Sequence, residues 1–124
     1  MAYSEYLVDR IEQIFKEKHI NVEGKKFMGG YCFFLNEKMC VGLDIDKKSK
    51  SDRLMARIGE DIMETALKKK GCKPMDITGR PMKGFVFVEP NGFDLDKDLE
   101  YWIQLSIDHN PFAKSSKKKK SKRS

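Results

Sequence analysis

Arg80 is the side chain of this 124-residue protein best placed to recognise something. It stands within residues 74–89, PMDITGRPMKGFVFVE. Gly79 before it permits unusual backbone angles, and Pro81 after it pushes Arg80 towards extended geometry. A guanidinium held in place beforehand loses less entropy on meeting a carboxylate or a phosphate. Lys83 follows closely and completes a candidate recognition pair. The more ordinary reading is that the same arginine pairs with a local acid such as Asp76 and simply staples the turn. Both readings stand.

Nucleophilic chemistry needs a nucleophile with a base in reach. Cys32, Cys40 and Cys72 have no histidine nearby in sequence, and no serine sits in a GxSxG turn. Three cysteines without a CxxC do not make a disulfide framework, so reduced and mostly buried thiols are expected. Asp94, Asp96 and Asp98 imitate the start of a calcium loop. An EF-hand would require glycine and glutamate where Leu99 and Leu105 stand, so these acids suit a helix start instead. Asp44 and Asp46 form a lone DxD, read as solvated loop acids. His19 and His109 are isolated, which suits surface histidines at helix ends better than zinc. The glycines spell neither a P-loop nor a dinucleotide fingerprint. No cofactor and no metal are expected.

Charge is unevenly placed. The chain holds 25 basic and 19 acidic residues. Seven of the cations (Lys114, Lys117, Lys118, Lys119, Lys120, Lys122 and Arg123) fall in the last eleven residues, where there is no acid. Removing them leaves 18 basic against 19 acidic residues, so residues 1–113 carry a net −1. Basicity therefore belongs to the tail, and a basic face on the body is not implied. Full engagement of the tail with phosphates would give a salt slope of roughly −6. The tail has no aromatic ring on which a base could stack, so such binding would be non-specific. The competing reading is a disordered, solubilising end.

These groups need elements to position them. Leu7, Val8, Ile11, Ile14 and Phe15 make one helical stripe over residues 3–18, with Ser4 as its cap. Strands are expected over 25–29, 31–35 and 38–43, the last two joined at Asn36-Glu37. If Leu35 faces Lys38, then Cys32 opposes Val41, Cys40 opposes Phe33, and the two thiols point to opposite faces. Residues 44–52 read as a polar, mobile loop. Arg53 to Ile58 alternates as a strand, with Leu54, Ala56 and Ile58 on one face and Arg53, Met55 and Arg57 on the other. A second helix is expected over 59–70, a strand over 85–88 with an exit turn at 89–92, and a third helix over 94–108.

The order is α-β(3-4)-α-β(1-2)-α, an α+β fold with a mainly antiparallel sheet and three helices on one side. One domain over 1–113 and a disordered basic tail over 114–124 account for the whole chain. No apolar run approaches the roughly 20 residues that span a bilayer. The first residues do not form a signal peptide, so a cytoplasmic address with no membrane partner is expected.

Three segments carry a family likeness: MAYSEYLVDRI, KKFMGGYCFFLNEKMCVGL and PMDITGRPMKGFVFV. In order and spacing they resemble the TfoX N-terminal domain family, related to the Sxy competence regulators, over residues 1–110. The chain departs from the family pattern in two places. Phe27-Met28-Gly29-Gly30 stands for Met-Phe-Gly-Gly, and Glu37 replaces the glycine of an Asn-Gly-Lys turn. The resemblance implies a secretion-chaperone-like α+β fold, no recognised catalytic residues, and a stand-alone N-terminal domain lacking the C-terminal helical domain of full-length regulators.

The resulting expectation is a non-enzymatic interaction or regulatory domain. Its partner would be an unidentified protein, or a second copy joined through a sheet edge or an apolar surface. One alternative is a nucleic-acid-binding accessory protein using the Lys-rich tail with Arg80 and Lys83. Another is a small enzyme of unknown class.

Overall fold

The computed structural model describes residues 3–27, 29–76 and 81–113. The tail and Arg80 lie outside the described residues. So does any pairing of Arg80 with Asp76.

A six-stranded antiparallel sheet runs β1-β2-β3-β4-β6-β5, built from β1 (Glu23–Phe27), β2 (Gly30–Leu35), β3 (Lys38–Ile45), β4 (Asp52–Arg57), β5 (Cys72–Asp76) and β6 (Pro81–Val88). Strand period puts Phe33, Val41, Leu43, Leu54, Ala56, Val86 and Val88 on one face, and these join one buried cluster with the helices. Helix α1 (Glu5–Glu17) contributes Leu7, Val8, Ile11 and Phe15 to it, and Ser4 Oγ accepts the Leu7 N–H at 3.2 Å as predicted. Helix α4 (Asp96–His109) lies on β3 and β4 and contributes Leu99, Trp102 and Ile103. Arg10 ties the two helices through Asp96, and Lys18 does so through Glu100.

The α+β class and the antiparallel sheet hold, but the helix count does not. Four α-helices are present among the described residues, two of them four residues long. The helix expected over 59–70 shrinks to α2 (Met63–Ala66). Gly59 has φ +87°, which no right-handed helix accommodates, and the N–H groups of Met63, Lys68 and Lys69 bond three residues back rather than four. The stripe of Ile62, Met63, Ala66 and Leu67 therefore covers one turn and no more. The exit turn expected at 89–92 is helix α3 (Pro90–Phe93), whose N-terminal proline is already set at helical φ.

The β2–β3 hairpin also corrects its register. Leu35 does face Lys38, but a bulge between Phe33 and Phe34 puts Val41 opposite Phe33 and Gly42 opposite Cys32. Cys40 becomes the extra residue, and it joins Val41 in the core. Cys32 is buried but lies on the other face, so the two thiols remain apart for a different reason. All three cysteines are free.

At the hairpin tip Asn36 and Glu37 both adopt left-handed backbone, with φ +54° and +66°. A two-residue turn between right-twisted strands demands that conformation. Asn tolerates it, whereas Glu pays a Cβ clash of about 1–2 kcal/mol. Replacing Glu37 by glycine is expected to raise stability by about 1 kcal/mol, read as a higher urea midpoint with an unchanged slope. An unchanged or lower midpoint would show that the glutamate side chain offsets its backbone strain.

Candidate functional site

The second face of the sheet carries no helix among the described residues. A continuous cross-strand row runs over it from edge to edge: Lys25, Cys32, Gly42, Met55, Phe87 and Lys73. Lysines occupy both ends and sulfur and aromatic groups the middle. Gly42 is required there, because a Cβ would lie 2.9 Å from both Cys32 Sγ and Met55 Cε. Those two side chains close over the glycine, and Cys32 is only 1% exposed as a result.

Cations lie over aromatic rings on both sides of this row. Arg53 stands 3.9 Å from the Phe87 ring centre, Arg57 5.3 Å from Phe85, and Lys25 4.8 Å from Phe34. Phe27 meets Phe34 edge-on at 6.1 Å and is itself exposed. Such contacts are worth about 0.5–1 kcal/mol at exposed sites and more where water is excluded. The long stems of the cations cover apolar surface that would otherwise face water.

Arg53 is the anchor of the face. Its Nε and Nη2 donate to the two oxygens of Asp44 at 3.0 and 2.9 Å, and Nη1 lies 3.8 Å from Asp46. The Asp44 hydrogen bonds raise the guanidinium pKa further, against the opposing effect of burial. Asp46 organises the β3–β4 connection. Its carboxylate accepts from the Lys48 N–H and from Ser49 Oγ, while its main chain bonds Lys50 and Ser51. The Lys48 hydrogen bond leads in holding the Asp46 carboxyl below the usual range, with Arg53 contributing. Residues 44–52 are therefore a built hairpin end, and the DxD acids are arginine partners rather than solvated loop charges. The groove alongside, about 690 Å³, is lined by Asp44, Arg53, Lys73, Asp76 and Phe87 among others.

Lys83 sits on β6 and is exposed. Of the proposed recognition pair it is the member within the described residues. The arrangement around Arg53 was missed because Asp44 and Arg53 were assigned to separate elements. Drawing a hairpin through 44–53 places them directly opposite, as the register does.

The thiols are poor nucleophiles. Burial pushes Cys32 up to about 11, with Asp44 adding to it, and Cys72 up to about 11. Burial lifts Cys40 to about 12 despite nearby Arg57. All three are protonated near neutral pH. No group of three or more metal-ligating side chains gathers among the described residues. No helix there is long and apolar enough to cross a membrane.

His19 is exposed just past α1, as expected. His109 is half-buried at the end of α4, its ring against Gly59. Burial first, then the Arg57 and Lys38 cations, push its pKa below the usual 6.5, with Asp61 opposing. The unfolded chain thus binds this proton more tightly than the folded one. Stability is expected to be intact above pH 6.5 and to fall as pH drops through the folded value. Urea midpoints measured from pH 7.5 to 5 (both roughly chosen to bracket the histidine range) test this. His109→Gln should flatten that part of the profile, and an equally steep variant would assign the loss to other groups.

Comparison with known proteins agrees with this architecture. The family model of the TfoX N-terminal domain matches residues 14–110. A crystal structure of a protein from Pseudomonas syringae superposes with a TM-score of 0.56 at 18% identity, covering 80% of this chain and 93% of that one. At that identity the likeness concerns the fold. No curated protein matches.

Proposed function

The chain belongs to the TfoX N-terminal domain family, and on that premise we propose that it is a non-enzymatic interaction and regulatory domain of the cytosol. Its binding surface is the helix-free sheet face. That face carries this reading, because it leaves Phe27 exposed and Phe34 and Phe85 half-buried beside Lys25 and Arg57, where an antiparallel sheet commonly turns polar groups to solvent.

The sheet edges are less suited to a partner. Lys25 and Lys26 stand on the β1 edge, and Pro74 with a bulge before Asp76 interrupts the β5 edge. Charge, proline and bulges are the usual means of discouraging edge pairing. A regulatory role draws on the likeness to TfoX-type competence regulators.

Photo-crosslinking in extract of the protein's own host tests the reading. A benzophenone side chain at Phe85, on the open face, should form defined adducts, and the same group at Glu12, exposed on α1, should not. Adducts from Glu12 alone, or from neither position, would overturn it.

A further inference from the structure

We propose that the helix-free face binds single-stranded nucleic acid, its bases stacking on Phe34 and Phe85 and its phosphates meeting Lys25, Arg57 and Lys73. This rests on the reading that the face is the binding surface.

Single strands are held by a positively charged track combined with aromatic rings on which bases stack. An antiparallel sheet with helices on one side and aromatics on the other can supply both at once. Here Phe34 and Phe85 are half-buried with a cation over each, and they stand on β2 and β6 with β3 and β4 between them. Strands lie about 4.8 Å apart, so the rings are separated by roughly 14 Å and the terminal lysines by about 24 Å. That span fits about four nucleotides, the low end for such sites.

Charge favours the same face. Helix α1 carries four acids against two cations, and α4 carries four against one. On the open face Arg53 is held by Asp44 and Asp46 and Lys73 by Glu89 at 3.0 Å, which leaves Lys25 and Arg57 against Glu23. A polyanion is repelled by the acidic helices and meets less opposition at the sheet face, where Lys25 and Arg57 stand. The preference for single strands follows from stacking, since bases in a duplex already stack on one another and present only their edges. The seven cations of residues 114–124 add salt-sensitive affinity for single strands and duplex alike.

Fluorescence anisotropy of the full chain, with short labelled oligo-dT, oligo-rU and a mixed-sequence duplex, tests the proposal. Single strands should bind more tightly than duplex. Phe34→Ala with Phe85→Ala should lower single-strand affinity roughly 10- to 100-fold and leave duplex binding unchanged. Lys25→Ala with Lys73→Ala, which removes no buried ring, should reduce the single-strand salt slope by about 1.4 units. It keeps the test open should the aromatic variant unfold. Binding of either oligo-dT or oligo-rU supports the proposal, and preference for one identifies the natural strand.

Equal affinity for single strands and duplex, untouched by the aromatic variant, would overturn it. So would a dimer that the aromatic variant dissociates while no oligonucleotide binds, which would give the face to a second copy. If oligonucleotides fail to bind while nuclease-resistant adducts still form at position 85, only the nucleic-acid occupant is lost. Absence of those adducts removes the face itself.

Discussion

Replacing Trp102 by alanine is expected to cost about 3–5 kcal/mol, enough to leave a domain of ordinary stability near its unfolding threshold. Trp102 is 1% exposed and is the one tryptophan of the chain. Its ring fills the space between α4 and the sheet, and its Nε1–H donates to the Gly92 carbonyl at 2.9 Å. Truncation therefore leaves a cavity and also orphans a carbonyl that pins α3. Trp102→Phe should cost distinctly less, because it keeps most of the apolar volume and loses the hydrogen bond. Circular dichroism during urea unfolding is the suitable measure, since the substitution removes the tryptophan signal. A loss below about 1 kcal/mol would show that the neighbouring side chains collapse into the space.

Asn110→Ala is expected to cost about 2–3 kcal/mol, a large effect for one polar side chain. Asn110 is 2% exposed just beyond α4. Its Nδ2 donates to the Leu35 carbonyl at 3.0 Å, and its Oδ1 accepts from Asn36 Nδ2 at 3.1 Å. Its main-chain oxygen accepts from Lys38 Nζ at 3.1 Å. One residue thus locks the β2–β3 turn to the end of the last helix. The alanine variant leaves Leu35 O and Asn36 Nδ2 without their partner, so amide exchange should quicken at Glu37 and Lys38 as well as globally. Asn36→Ala removes only one of these bonds and should cost less on that account. Equal costs for the two variants would mean that the Leu35 carbonyl finds water when Asn110 is shortened.

The local elements were legible wherever a period ran long enough. The α1 stripe, its Ser4 cap and the α4 stripe follow from spacing alone, and so does the alternation that separates Leu54, Ala56 and Ile58 from Arg53, Met55 and Arg57. The family likeness was legible too, and the match over residues 14–110 takes in the second and third of the segments that carried it. The 59–70 helix failed because four apolar residues describe one turn as well as three, and Gly59 ends the regularity before it begins. The hairpin register failed because a bulge costs one residue and leaves no mark in the apolar pattern.

By itself, then, the sequence determined an α+β domain, its helix faces, its buried thiols and its ancestry, all of which depend on neighbours along the chain. Only tertiary structure decided where chemistry gathers. Arg53, Phe87 and Asp44 meet because β4 pairs with β3 on one side and with β6 on the other, contacts that span up to 34 positions. The row from Lys25 to Lys73 is drawn from six strands, and it exists because the helices among the described residues cover the opposite face. Local spacing sets which way a side chain points. The order in which strands pair sets what it points beside.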